Sequence, residues 1–297
     1  MIRAAAVRQS RRTHATHPFP WWACVCWLGM AAAGCGPVAP RVAAAPGVLE
    51  TSVAAGGDGA SLRLHLARPA SLRAPALILF ASGDGGWFGT AIDMWRLLAR
   101  EQVATAGFSA RAFLKLERPG PAGLDPARLA REHGVLVETA STALRLPAGC
   151  PVILAGWSRG AAFSVLAAAE SGRLPHLAGV IAVGLDATED LAIDGPGDES
   201  DDGAPASPSA SGARVFHPYE RLRAVHVPVA VIQATDDEYL GASAARALFG
   251  PDTPARRFLP VAARNHRFAG GTAALEAALG EAVRWIASFQ QPGGGAR

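Results

Sequence analysis

Between Pro151 and Ala169 the chain reads PVILAGWSRGAAFSVLAAA. A short apolar run, Val152 to Ala155, passes through Gly156-Trp157-Ser158-Arg159-Gly160 directly into an Ala-rich helical run. A strand that becomes a helix through so few residues turns sharply. A side chain at Gly156 or Gly160 would collide with its neighbours there. This order predicts a nucleophile elbow, with Ser158 held out at the top of a sheet. The N–H of Arg159, at the helix N-terminus, then faces any anion that forms beside Ser158. With 33 glycines in the chain, G-x-S-x-G could arise by chance, so the flanking strand and helix give the motif its meaning.

The rest of the chain can be read around that stretch. Val48 to Val53 and Ser61 to Ala67 are expected as a hairpin about Gly56-Gly57-Asp58-Gly59. His65 falls on a polar position of the second strand and is expected to be solvated. Ala76 to Phe80 is continuously apolar, as for a strand covered on both faces. Further strands are predicted at Val103–Phe108, Leu177–Leu185, Pro228–Ala234 and Arg257–Val261. Helices are predicted over Thr90–Arg100, from the Asp125-Pro126 start to about Leu144, and over Thr272–Phe289. His133 sits among charged residues and is expected to face solvent. Alternation of strands and helices predicts a mostly parallel sheet with helices on both faces, an α/β architecture spanning 48–290. Residues 194–213 are acidic and low in complexity, and are expected to form a flexible insertion.

A serine hydroxyl is a weak nucleophile at neutral pH. It needs a base to take its proton and an acid to hold that base in the right tautomer. For a serine on such an elbow the order along the chain is Ser, acid, His. Ser158 is followed by Asp237 after one late strand and by His266 after the next. Asp236 competes with Asp237 for the acid, and Asp186 is a weaker competitor. His217 and His226 precede the acid strand and break the order. The Gly-rich loop Ser82-Gly83-Asp84-Gly85-Gly86-Trp87 follows a buried strand, where a second oxyanion donor is expected. Counting from the strand end gives the N–H of Asp84, with Gly83 and Trp87 beside it.

Composition removes other classes. A net charge of +3 without internal Lys/Arg runs argues against a nucleic-acid partner. No Cys/His spacing suits a metal, and no cofactor motif occurs, so neither a metal nor a cofactor is expected. Arg3, Arg8, Arg11 and Arg12 precede the apolar run Trp21 to Ala33, as in an export signal over 1–34. Ala32-Ala33-Gly34-Cys35 resembles a bacterial lipobox, which would make Cys35 the lipidated first residue of a 35–47 tether. Ordinary cleavage would instead release a soluble exported protein. The expected location is the periplasm, anchored at the membrane surface.

These features together resemble the α/β-hydrolase superfamily over the mature chain. Within it, Ser82-Gly83-Asp84-Gly85-Gly86-Trp87 and the loop Asn265-His266-Arg267-Phe268 are similar to those of the exported AcvB/VirJ group of bacterial virulence proteins. That group's elbow carries an aromatic residue after the serine and an acidic residue soon after the second glycine. Here those positions hold Arg159 and Ala161-Ala162-Phe163. The resemblance implies an exported serine hydrolase of carboxylic esters, with hydrolysis of lysyl-phosphatidylglycerol as the group's associated activity. Asp84 would then attract an aminoacyl ammonium and Arg159 a lipid phosphate. The bland alternatives are a loop-capping Asp84 and a solvent-facing Arg159. A general carboxylesterase or thioesterase stays open, as does a non-catalytic periplasmic assembly lipoprotein.

Overall fold

The longest buried apolar runs form the strands at the centre. In the computed structural model, which describes residues 48–54, 61–69, 76–119, 123–192 and 214–290, they join an eight-stranded sheet. Its strands are β1 (Val48–Ala54), β2 (Ser61–Ala67), β3 (Leu77–Ala81), β4 (Ala104–Phe108), β5 (Val152–Trp157), β6 (Leu177–Val183), β9 (Val229–Ala234) and β10 (Arg256–Val261). The short strands β7 (Glu189–Asp190) and β8 (Val215–Phe216) pair separately. The sheet order is β1-β2-β4-β3-β5-β6-β9-β10. The β1–β2 and β2–β4 pairs are antiparallel and all the others are parallel. The expected export signal 1–34, the tether with Cys35, the Gly56–Gly59 turn and the acidic stretch 194–213 all lie outside the described residues.

Helices cover both faces, because β3, β4, β5 and β9 bury side chains on both sides. On one face α1 (Thr90–Arg100) and α7 (Thr272–Ser288) pack Met94, Trp95, Leu97, Leu279 and Val283 against Ile78, Phe80 and Ile181. On the other, Phe113, Leu129, Phe163, Tyr219 and Ala245 pack over Leu79, Phe108 and Leu154. They come from α2 (Ala110–Glu117), α3 (Pro126–Ala143), α4 (Arg159–Ala169), α5 (Pro218–Arg221) and α6 (Ala242–Phe249). Asp125 caps α3 as its Asp-Pro start predicts, accepting from the N–H of Arg128 at 3.2 Å. Helix α2 was not expected: Ser109 caps it directly after β4, accepting from Ala112 N. Parallel strands bring the loops after β3, β5, β6, β9 and β10 to one sheet edge, the carboxyl edge.

Two histidines depart from expectation. β2 lies between β1 and β4, so it is not an edge strand, and His65 stacks flat on Trp87 at 4.3 Å. His133 is 1% exposed. Its ring meets Phe108, Phe113 and Phe163 edge-on at 5.6, 5.9 and 6.3 Å. The charged residues next to it in sequence face outward, and helical rotation carries His133 inward onto α4. Its Nδ1 lies 2.8 Å from the carbonyl of Leu129, and its Nε2 has no hydrogen-bond partner among the described residues. The ring is therefore neutral, with Nδ1–H donating.

Burial pushes the His133 pKa down from 6.5 to about 4. Below pH 6.5 the unfolded chain binds a proton at this residue that the folded protein refuses until about pH 4, so stability falls across that window. At roughly 1.4 kcal/mol per pH unit, the loss between pH 6.5 and 4.5 should be about 2 to 3 kcal/mol. Urea unfolding of His133→Met should show a pH dependence shallower by that amount than the parent protein, and equal slopes would refute the assignment.

Candidate active site

The elbow forms at the end of β5. Ser158 takes φ 56 and ψ −124, a conformation seldom adopted by a residue with a side chain. The packing enforces it. A Cβ on Gly156 would lie 2.0 Å from the carbonyl oxygen of Gly160, and one on Gly160 would lie 2.1 Å from that of Ala81. The N–H of Ser158 donates to Val183 O at 2.9 Å, which ties the elbow to β6. Arg159 is the first residue of α4, where backbone N–H groups point out of the helix rather than into its ladder.

His266 stands beside this turn. Trp157, the residue before Ser158, donates from Nε1 to His266 O at 3.2 Å, and the two rings lie 5.4 Å apart. His266 Nδ1 donates to Asp237 Oδ2 at 2.8 Å. That bond leaves Nε2 as the acceptor nitrogen, and this atom is buried with no hydrogen-bond partner among the described residues. The backbone is fixed as well: His266 N donates to Glu238 Oε2 at 2.7 Å.

The three acids differ in geometry. Asp237 is buried and its carboxylate is fully engaged. Oδ2 also accepts from Gln233 Nε2 at 3.0 Å, and Oδ1 accepts from the N–H groups of Tyr239 and Leu240 at 3.0 and 3.4 Å. Asp236 is exposed and lines a separate hollow with Thr235 and Arg264. Asp186 lies at the end of β6. Its Oδ1 is buried without a hydrogen-bond partner among the described residues, and burial pushes its carboxyl up to about 6. Burial alone would lower the pKa of His266. The hydrogen bond and charge of Asp237, with the charges of Asp186 and Glu238, outweigh it and leave that pKa raised. Sequence reasoning missed Gln233, Glu238 and Glu189, which lie in no motif. The only signal for Gln233 is an amide in an otherwise apolar strand.

The loop after β3 reaches the elbow. Gly83 lies so close to Ser158 that a Cβ there would be 3.2 Å from the serine Cβ. Ser82 pins the loop's start: its N–H donates to Phe108 O, and its Oγ accepts from Ala110 N at 3.1 Å. Trp87 does not line the site as expected. Its indole lies over the bare backbone of Gly107, where a Cβ would meet it at 2.1 Å, and packs with His65, Phe80 and Trp95. Arg159 also departs from the phosphate-binding role. Its side chain is 7% exposed and pairs with Asp84 at 2.6 Å and Glu189 at 2.9 Å, with Asp190 at 3.6 Å. Burial raises the Glu189 pKa, and the Arg159 charge opposes the rise only in part. Among the described residues no His/Cys/Asp/Glu group is arranged to hold a metal.

Two outcomes follow for variants. Asp237→Asn should cut turnover on the order of 10⁴-fold, while Asp236→Asn should leave it nearly unchanged; the reverse order would move the acid by one residue. A base must be neutral to act, so kcat/KM should rise with pH through the raised pKa of His266. Asp186→Asn removes a charge that favours the imidazolium, so the acidic limb of its pH–rate profile should shift to lower pH. An unmoved limb would show that Asp186 does not act on the base.

No protein-family model and no curated protein sequence matches the chain. Solved structures do match. The esterase domain of a Rhodothermus marinus protein is 17% identical, with a TM-score of 0.52 over 80% of this chain and 97% of that one. A dienelactone hydrolase, so described without proof, from Klebsiella pneumoniae is 12% identical, with a TM-score of 0.55 over 81% and 98%. The dienelactone hydrolase of Anabaena variabilis is 18% identical, with a TM-score of 0.51 over 81% and 97%. At such identities the likeness is one of architecture: this chain has the α/β-hydrolase fold.

Proposed function

We propose that this protein is a serine hydrolase that cleaves carboxylic esters through Ser158, His266 and Asp237. The observation that carries the reading is the buried, unpartnered Nε2 of His266 beside the elbow, on a ring whose other nitrogen is held by Asp237. A buried acceptor without a donor is costly unless function uses it. In the proposed reaction Nε2 takes the proton of the Ser158 hydroxyl as Oγ adds to the ester carbonyl. The N–H of Arg159 and one from Gly83 or Asp84 receive the oxyanion. His266 returns the proton to the departing alcohol, and water then hydrolyses the acyl-serine by the same steps in reverse. The esterases and dienelactone hydrolases that share the fold support this class. An intact triad argues against a purely structural lipoprotein.

The substrate we favour is a membrane-lipid ester whose acyl part carries an ammonium, an aminoacyl-phosphatidylglycerol. Support comes from the export signal and lipobox-like Cys35, and from the acidic surroundings of the base. Asp84 is 46% exposed, and Asp186 and Glu238 act on the same histidine. Arg159 is enclosed by carboxylates, so it supplies no phosphate recognition in this reading. The second reading is a general carboxylesterase or thioesterase, favoured by the esterases that share the fold.

Ser158→Ala should reduce turnover on the order of a million-fold if the triad acts as a unit. It should also abolish labelling by a fluorophosphonate, and persistent activity would end the hydrolase reading. Purified mature protein should release lysine from lysyl-phosphatidylglycerol in vesicles. Brisk cleavage of short neutral esters with the aminoacyl lipid untouched would replace the lipid reading with the general esterase. Cys35→Ser should free the protein from membranes, and retention would argue against lipidation.

A further inference from the structure

Arg159 combines two features that are separable in chemistry. Its backbone N–H starts the helix behind the nucleophile, and its side chain is the centre of a buried ionic cluster. Nε approaches Asp84 Oδ1 at 2.6 Å and Glu189 Oε1 at 2.9 Å, while Nη2 approaches Asp190 Oδ1 at 3.6 Å. Taking a guanidinium out of water costs several kcal/mol unless it is paired. A side chain 7% exposed therefore has no competitive alternative to its carboxylates. These come from two separate segments. Asp84 belongs to the loop that lays Gly83 against Ser158, and Glu189 and Asp190 form β7.

We propose that the Arg159 side chain is a positioning group for catalysis. By gripping Asp84 it fixes the loop after β3 against the elbow, and so sets the spacing of the two halves of the oxyanion hole. By gripping β7 it ties that hole to the hairpin that precedes and follows residues 193–213. The proposal rests on the serine-hydrolase reading above.

The loop has other anchors as well. Ser82 holds the loop to β4 and α2, and Trp87 holds it to the sheet face over Gly107. Ser82 also packs its carbonyl against α4, where a Cβ on Gly160 would lie 2.5 Å from it. The Asp84–Arg159 pair joins the oxyanion part of the loop to α4 through side chains. An oxyanion donor must sit within a few tenths of an ångström of its place, and misplacement by about 1 Å can cost about 10²-fold in rate. A lysine would not substitute. An ammonium is a single point on a flexible stem, whereas this guanidinium presents Nε and Nη2 to different carboxylates at once.

The test uses the full mature protein and two readouts: the second-order rate of Ser158 labelling by a fluorophosphonate, and kcat and KM on a 4-nitrophenyl ester. Arg159→Lys and Asp84→Asn should each lower the labelling rate and kcat by about 10- to 100-fold, with KM changed by less than about two-fold. The double variant should be no worse than the poorer single one, because both break one link. Should Arg159→Lys fail to fold, Asp84→Asn decides alone, since its side chain is half exposed and the change preserves its size. Unchanged labelling in Asp84→Asn would overturn the proposal. So would a rise in KM at constant kcat, which would make these groups direct substrate contacts, or losses that simply add. If the parent protein is itself unlabelled, the hydrolase reading fails and this proposal falls with it. Failure of the positioning role alone would instead appear as equal labelling of parent and variants.

Discussion

Everything at the carboxyl edge depends on backbone pressed against backbone at the elbow. Helix α4 starts so close to both β5 and β3 that neither Gly156 nor Gly160 has room for a methyl group. That approach forces Ser158 to φ 56 and ψ −124, a distortion worth about 1 to 3 kcal/mol. The distortion persists because α4 cannot retreat. Every residue from Ala161 to Ala168 is buried, so the helix is packed on all sides rather than along one stripe. At roughly 25 cal/mol per Å² of apolar surface, such burial exceeds the local strain several-fold. The core thus holds the serine out, and the reactive geometry is a consequence of packing.

Around that point the protein treats chemically identical carboxyls in different ways. Asp237 accepts four hydrogen bonds from Gln233, Tyr239, Leu240 and His266. Asp186, at the end of the neighbouring strand, has a buried oxygen with no such donor among the described residues, and its pKa rises to about 6. The difference is the supply of N–H groups. The tight turn after β9 aims successive amides at Asp237, and Gln233 adds its side-chain amide from within the sheet. A third environment surrounds Arg159, where three carboxylates share one guanidinium and burial drives Glu189 toward its neutral form. Hydrogen-bond supply sorts these acids into one that holds His266, a neighbour whose charge raises the His266 pKa, and a buried ionic tie.

The sheet and the elbow were legible in the sequence for the same reason: both are set by local pattern. Runs such as Ala76 to Phe80 leave few alternatives to a buried strand. G-x-S-x-G between a strand and a helix specifies a turn. That Asp237 turns inward while Asp236 stays exposed also follows from local geometry, since a residue slightly past the strand end is turned inward. The misreadings concern side chains whose surroundings come from distant parts of the chain. His133 was placed in solvent because its sequence neighbours are charged, yet its actual neighbours, Phe108, Phe113 and Phe163, come from other elements. Trp87 belongs to the Gly-rich loop in sequence, but Gly107 offers it a flat seat on β4. Arg159 was given a phosphate because Glu189 and Asp190 carry no motif to announce them.

The same contrast explains why the chemistry of the site is easier to read than its substrate. Three of the loops at the carboxyl edge are stiffened by a polar side chain bonded to backbone. Ser82 holds the loop after β3, Gln233 reaches from β9 to Leu185 and Leu240, and Asn265 accepts from Arg267 and Ala269. Those anchors repeat a small set of polar residues at strand ends, which makes them recognisable in principle. Other side chains near the site are left outside these anchors. Tyr239 is 40% exposed, and its ring stands edge-on to His266 at 4.9 Å; Phe88, on the opposite loop, is 49% exposed. Such exposed positions can change without disturbing the core. The rigidity that fixes the loops around Ser158, Asp237 and His266 therefore leaves the surrounding rim free to vary, which is why the sequence says more about the fold of the site than about what it would accept.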